Sequence, residues 1–256
     1  QKWAEKIFKG ETILAESRKP YEKYKNAIFR TVLILLIIST VYAVYMAIVT
    51  PTGLASNEYE RMRSDYILMV LQCIVGSFVI FLPSKVEQRF RLDIPDIMEI
   101  LYFLFLFCAI YLGEVQNFYF KIPYWDLILH CFSAGMLGAL GFVIVNFFND
   151  MERIKITLSP FFVSLFAFCF ALTCGTVWEI YEFLADGVLG TNMQKFITSD
   201  GTVLIGRDAL VDTMEDFIVD SLGALVVTAI GYRHLNKRNK ASIQQAEAEH
   251  REQRRA

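Results

Sequence analysis

Long apolar runs separated by short polar connections dominate the middle of the chain. A helix needs roughly 20 apolar residues to cross the hydrocarbon core of a bilayer, so runs of about this length predict transmembrane helices. Prolines lie at or near the ends of most runs, where they disturb a helix least. The pattern predicts an all-α, polytopic membrane helix bundle with about six spans, at residues 28–49, 66–82, 97–112, 125–148, 158–186 and 209–232.

Two polar segments flank this transmembrane region of residues 28–232. Segment 1–27 mixes apolar residues with lysines, which is typical of an amphipathic helix on the inner membrane surface or of a frayed basic tail. Because a full-length apolar span follows it, we interpret that span as a retained anchor and not as a signal peptide. Segment 233–256 is charged, which favours a solvated cytoplasmic helix or a disordered tail.

Lysine and arginine are distributed unevenly between alternate connections. With the N-terminus in the cytoplasm, 20 of the 25 basic residues fall on the cytoplasmic side. Basic residues close to transmembrane helices favour that side of the membrane. The sequence therefore predicts that both ends of the chain are cytoplasmic (N-in, C-in), an arrangement that requires an even number of spans.

Composition supports a membrane protein and narrows its partners. Hydrophobic residues make up 55% of the chain and mean hydropathy is +0.39, above the range usual for soluble domains. The net charge of −2 gives no basic excess, so we expect a lipid bilayer as partner and no nucleic acid. The five cysteines form no Cys-x-x-Cys pair, which argues against a disulfide framework or a zinc finger.

Charged residues inside the predicted spans form three groups in the second half of the chain. Asp126 and His130 are four residues apart in the fourth span, so they share one face of a helix. The helical spacing of the acidic residues predicts one stripe on each of the next two spans: Glu179, Glu182 and Asp186 on the fifth, and Asp212, Asp216 and Asp220 on the sixth.

The predicted topology brings these three groups to the outer half of the bilayer, because the fourth and sixth spans begin there and the fifth ends there. An ionised side chain at the centre of a span costs roughly 2.5–3.5 kcal/mol. The sixth-span group alone would therefore cost about 8–10 kcal/mol if it stayed ionised in lipid. Bound metal cations, protonation of the acids or a water-filled cavity would each remove this cost.

A ligand set rich in carboxylates with a single histidine favours Mg²⁺, Mn²⁺ or Ca²⁺ over tetrahedral Zn²⁺. We predict a divalent metal held by the carboxylates, with Asp186 either a ligand or a partner of one. The predicted ligands are Asp126, Glu179, Glu182, Asp186, Asp212, Asp216 and Asp220. His130 is the predicted general acid or base, since the ordinary pKa of histidine suits that role.

The connection at residues 187–207 follows the acidic stripe of the fifth span. Asp200 and Gly201 stand between two apolar pieces, which predicts a small β-hairpin. Its position suggests a lid or a substrate-contact loop over the acidic cluster.

Over roughly residues 95 to 232 the chain resembles the YjdF-like bacterial inner-membrane proteins. The resemblance rests on Trp125-Asp126-x3-His130, on Trp178-Glu179-x2-Glu182-x3-Asp186 and on Asp212-Thr213-Met214-x-Asp216-x3-Asp220-x2-Gly223-Ala224. A looser similarity to VanZ proteins, which are linked to teicoplanin resistance, rests on the Asp-x3-His start, a Glu followed by a Gln (Glu182 and Gln194) and the Asp-rich last helix. The resemblance implies a multi-pass protein of the bacterial inner membrane and implies no particular reaction.

Two main functional hypotheses follow from these residues. The first is a metal-dependent membrane enzyme, a hydrolase acting on a lipid-linked or phosphorylated envelope substrate at the outer leaflet. The second is a proton- or cation-coupled transporter that uses the acids as a relay. A non-catalytic membrane partner subunit is a third alternative.

Overall fold

A computed structural model describes residues 18–51, 61, 63–90, 94–150, 158–198 and 201–254, and nearly all of them are helical. The α-helices are α1 (Arg18–Val49), α2 (Arg63–Val79), α3 (Leu82–Phe90), α4 (Asp96–Leu106), α5 (Phe118–Lys121), α6 (Trp125–Asp150), α7 (Pro160–Leu189) and α8 (Val211–Gln253). A π-helix, Phe107–Val115, continues α4, and a 3₁₀ turn, Asp208–Leu210, leads into α8. The predicted all-α fold is confirmed.

Five helical stretches in the described residues are long and apolar enough to cross a membrane: Tyr21–Val49, Arg63–Phe90, Asp96–Val115, Trp125–Phe148 and Pro160–Leu189. They coincide with the first five predicted spans. The sixth predicted span is the first half of α8, where four acidic residues within ten positions lower the hydropathy. Its passage across the membrane, and with it the N-in, C-in orientation, stays a prediction.

Both flanking segments are partly described. Helix α1 begins at Arg18 and runs without a break past the predicted boundary at residue 28. The predicted surface helix in residues 1–17 lies outside the described residues. At the other end α8 continues as one helix to Gln253. Of the two alternatives that the sequence favoured for the tail, a helix or a disordered segment, the structure shows the helix.

The helices pack as two groups that lie side by side. Helices α1, α2 and α4 surround one apolar core, formed by Val32, Leu36, Ala43, Tyr66, Met69, Cys73, Ile80, Phe103 and Leu106. Helices α6, α7 and α8 pack on one another as the second group. Met98 of α4 packs against Ala139 and Val143 of α6, which joins the groups.

The ends of α7 follow from its local sequence. Ser159 caps the first turn, because its hydroxyl accepts a hydrogen bond from the Phe162 amide at 3.2 Å, and Pro160 occupies the first helical position. Gly190 ends the helix in the left-handed conformation (φ 66°), and its amide donates to the Asp186 carbonyl at 3.1 Å. The acidic stripe therefore occupies the last turns before a defined stop.

Small residues let α6, α7 and α8 approach closely. Ala134, Ala171 and Ala224, one from each helix, form a fully buried cluster. At Gly223 of α8, a β-carbon would collide with the backbone carbonyl of Cys131 on α6. This close approach fixes the register of α8 against the turn of α6 that contains His130.

Replacing Gly223 by alanine should destabilise the protein by about 1–3 kcal/mol, since the added methyl group forces two helix backbones apart. Gly187 is the matched control, because it lies in α7 and a β-carbon added there would meet no other atom within 4 Å. Gly187→Ala should be neutral or stabilising by up to about 1 kcal/mol. Unfolding by sodium dodecyl sulfate in mixed micelles measures both values, and equal stabilities for the two variants would contradict the packing.

Candidate functional site

The amino-terminal turns of α6 and α8 meet the carboxy-terminal turns of α7 at one end of the second helix group. The structure brings together His130 and the carboxylates of Asp126, Glu179, Asp216 and Asp220. These residues come from three helices that are distant in sequence. Their convergence is the arrangement that helical spacing and alternating topology predict.

His130 is buried at the centre of this cluster, with an 8% exposed side chain. Its Nδ1 lies 3.4 Å from Oδ1 of Asp220. Its Nε2 faces the other way, 3.9 Å from Oε1 of Glu179, 3.9 Å from Oδ2 of Asp216 and 4.0 Å from Oδ1 of Asp126. The imidazole thus has one carboxylate behind it and three in front.

Asp126, His130 and Asp216 have the geometry of a cation site. One potential ligand atom from each of them lies within 4.8 Å of the other two. A single ion can bridge that distance, since oxygen ligands lie about 2.0–2.6 Å from Mg²⁺ or Ca²⁺.

Asp216 is the most deeply buried of the acids, with 0% of its surface exposed. Neither of its carboxylate oxygens has a hydrogen-bond partner among the described residues. Oε2 of Glu182 is also buried without such a partner, and Glu182 is 5% exposed. Burial of a carboxylate without a partner is unfavourable, so these oxygens require a cation, a proton or another ligand.

Gly175 makes room for Asp220. A β-carbon at Gly175 of α7 would collide with the carboxylate of Asp220, which is 2% exposed. The glycine therefore lets α7 accept the carboxylate that stands behind His130.

Lys195 is the residue that sequence reasoning did not single out. It lies in the connection between α7 and α8, and its ammonium donates to Oδ1 of Asp212 at 2.9 Å and to Oδ2 of Asp126. Burial lowers the pKa of Lys195, but the carboxylates of Asp126 and Asp212 raise it more, so the net pKa lies above its ordinary value. The hint in the sequence was charge. The acidic cluster needs a cation, and any of the five basic residues predicted on the outer side of the membrane could have supplied it.

Asp186 holds the connection between α7 and α8 in place, and both of its carboxylate oxygens accept hydrogen bonds from that connection. Its Oδ1 accepts hydrogen bonds from the Thr191 hydroxyl at 2.6 Å and from the Met193 amide at 2.7 Å. Its Oδ2 accepts from the Gln194 amide at 2.9 Å. This arrangement favours the supporting role over the metal-ligand role that the sequence also left open.

The same connection reaches α8 directly and folds over the cluster. The Gln194 side-chain amide donates to the Thr213 hydroxyl at 2.9 Å. Beyond it, Ile197 and Val203 form an isolated antiparallel bridge, and the Leu204 amide donates to the Phe196 carbonyl at 2.8 Å. A minimal hairpin is therefore present where one was predicted, although two residues of its turn, 199 and 200, lie outside the described residues.

Replacing Asp186 by alanine should release the connection, because three donors lose their acceptor. A hydrogen bond to a charged group contributes about 1.5–3 kcal/mol. Hydrogen exchange at Met193 and Gln194 should therefore accelerate about tenfold or more, as measured by mass spectrometry in detergent. Asp208→Ala removes an exposed acid and serves as the control. Unchanged protection in Asp186→Ala would contradict the anchoring role.

Comparisons with known proteins identify the chain at the level of family. Residues 31–237 match the family described as predicted membrane protein (DUF2238). A Thermotoga maritima protein described as uncharacterized is 31% identical over 169 residues, which cover 62% of this chain and 76% of that protein. No solved structure matches. Together with the five apolar helices, these matches show a multi-pass integral membrane protein, and the chain belongs to the DUF2238 family of predicted membrane proteins.

Proposed function

We propose that the protein is a metal-dependent membrane enzyme that hydrolyses a lipid-linked phosphate ester. One observation carries the proposal: Asp216 is fully buried, its two oxygens have no partner among the described residues, and it shares a 4.8 Å group with Asp126 and His130. A hard divalent cation such as Mg²⁺, Mn²⁺ or Ca²⁺ suits this carboxylate-rich set.

The proposed ligands are Asp126 and Asp216, the acids of the 4.8 Å group, together with Glu179, whose Oε1 lies 3.9 Å from Nε2 of His130. Asp126, Glu179 and Asp216 approach from α6, α7 and α8, so a cation between them would tie the three helices together. Glu182, one turn beyond Glu179, is the nearest additional carboxylate on α7. Mutual repulsion among these acids falls when a cation binds, which supports a divalent ion over a neutral ligand.

His130 has the surroundings of a proton-transfer group. Oδ1 of Asp220 lies 3.4 Å from Nδ1, on the side of the ring away from the proposed ligands, which is where a catalytic histidine has its acidic partner. A cation held by Asp126, Glu179 and Asp216 would supply positive charge for the phosphate oxygens. Nε2 of His130 would take a proton from the attacking water as its oxygen forms the bond to phosphorus, and would return it to the lipid oxygen as the bond from that oxygen to phosphorus breaks.

The surroundings of the cluster support a lipid-linked substrate. Ile180 and Phe183 stand between the acids on α7 and are 53% and 65% exposed, and Ile218 on α8 is 59% exposed. In a membrane-spanning group of helices, such side chains contact lipid.

We also propose the bacterial inner membrane as the location and a YjdF-like assignment, which the family match supports. The looser VanZ similarity finds no support among the matches and contributes nothing to the proposal.

Asp216→Asn should weaken cation binding, and Glu215→Gln is its matched control, since Glu215 is the adjacent but exposed acid on α8. Loss of one ligand should weaken Mn²⁺ binding by about 100-fold or more. Mn²⁺ at 100 times the wild-type dissociation constant should stabilise the wild type by about 2.7 kcal/mol and Asp216→Asn by at most about 0.4 kcal/mol. Calorimetric titration and unfolding in detergent measure these effects. Equal Mn²⁺ affinity in Asp216→Asn and wild type would rule out this site.

The His130→Gln variant distinguishes a role of His130 in proton transfer from a role in metal binding. The variant should retain bound Mn²⁺ but release phosphate from a panel of long-chain lipid phosphates at least about 100-fold more slowly, because the proton carrier is gone. Full activity in this variant would exclude His130 as the acid–base group. Loss of the metal would instead make Nε2 a ligand.

A further inference from the structure

The carboxylate of Asp126 faces two different cation positions. Its Oδ1 points inward, 4.0 Å from Nε2 of His130, among the proposed metal ligands. Its Oδ2 points outward and accepts from the ammonium of Lys195. A carboxylate that uses its two oxygens in this way bridges two neighbouring positions, as in two-metal sites where the ions lie about 3.5–4 Å apart.

The outer position already contains a positive charge. The Lys195 ammonium lies between Asp126 and Asp212, 2.9 Å from Oδ1 of Asp212. The other oxygen of Asp212 is buried without a hydrogen-bond partner among the described residues. Two carboxylates carry one more negative charge than a single ammonium neutralises, so the outer position has the charge and the oxygen ligands that suit a divalent ion.

The chain holds Lys195 in this position by several independent contacts. Asp186 fixes the two preceding amides, and Gln194 is bonded to Thr213 on α8. Lys195 itself has a φ of 47°, in the left-handed region that a lysine adopts only at a cost of about 1–2 kcal/mol. A strained backbone that the surrounding structure maintains is typical of a functional position.

We propose that the cluster is a two-position cation site in which Lys195 permanently fills the outer position, so that one divalent cation binds, at the inner position. Asp126 bridges the positions, and Asp212 belongs to the outer one. This inference rests on the proposed function for the inner cation. It assigns Lys195 and Asp212 a role that neither the acidic stripes nor the family match indicates: they set the number of metal ions.

Removing the ammonium should open the outer position. In Lys195→Met the oxygens of Asp126 and Asp212 lose their cation, while Asp186 still holds the preceding amides and with them the course of the connection. The bound metal should rise from one to two ions per chain. Lys195→Arg keeps the charge and should bind one. Lys195→Met combined with Asp212→Asn removes an outer ligand and should return to one.

Elemental analysis of the full chain in detergent, after Mn²⁺ loading and gel filtration, measures this stoichiometry. Electron paramagnetic resonance adds a second readout, because two adjacent Mn²⁺ ions broaden each other's signal. Lys195→Gln, a second uncharged variant, is measured in parallel, so that the test does not depend on the folding of one protein. Unfolding transitions identify the folded variants.

The possible results separate this inference from the proposed function. One ion in the wild type and two in Lys195→Met or Lys195→Gln support both. One ion in every folded variant overturns the role of Lys195 and leaves the inner site intact. No ion in the wild type but one in the uncharged variants supports the outer position and contradicts the proposed function. No ion in any of them overturns both.

Discussion

The second helix group depends on one constraint: it buries more carboxylates than the surrounding protein can neutralise. Glu179, Glu182, Asp216 and Asp220 are each at most 5% exposed, and Asp126 and Asp212 adjoin them. Lys195 and His130 are the basic side chains that contact these acids in the described part of the chain. An apolar group of helices tolerates such an excess only if a bound cation, protons or water compensate the negative charge.

The first helix group shows how the same chain neutralises acids that need no ligand. Lys25 of α1 donates to Asp96 at 2.8 Å and to Glu99, which is 2% exposed, so a basic side chain meets both carboxylates of α4. Both acids have this basic partner, and neither has a buried oxygen without a hydrogen-bond partner among the described contacts. This pairing contrasts with the second group, where Asp216 has no hydrogen-bond partner among the described residues.

Much of this arrangement was predictable from sequence, and the limits have physical causes. Acids at helical spacing near alternating ends of three consecutive helices fall at the same end of the bundle, so their approach was predictable. The position of Lys195 was not predictable, since a single loop lysine has no periodicity and its placement depends on tertiary contacts of Asp186 and Gln194. Likewise, a helical glycine such as Gly175 suggests that another group approaches closely, but only the packed structure shows that this group is the Asp220 carboxylate.

The proposed function requires a divalent cation among Asp126, Glu179 and Asp216, in front of Nε2 of His130. Anomalous diffraction at the manganese edge, from crystals of the Mn²⁺-loaded protein, locates such an ion directly. We expect an anomalous peak within about 2.0–2.6 Å of oxygens from these carboxylates. Mn²⁺-loaded crystals with no peak there, or with ordered Mn²⁺ only elsewhere on the chain, would contradict it.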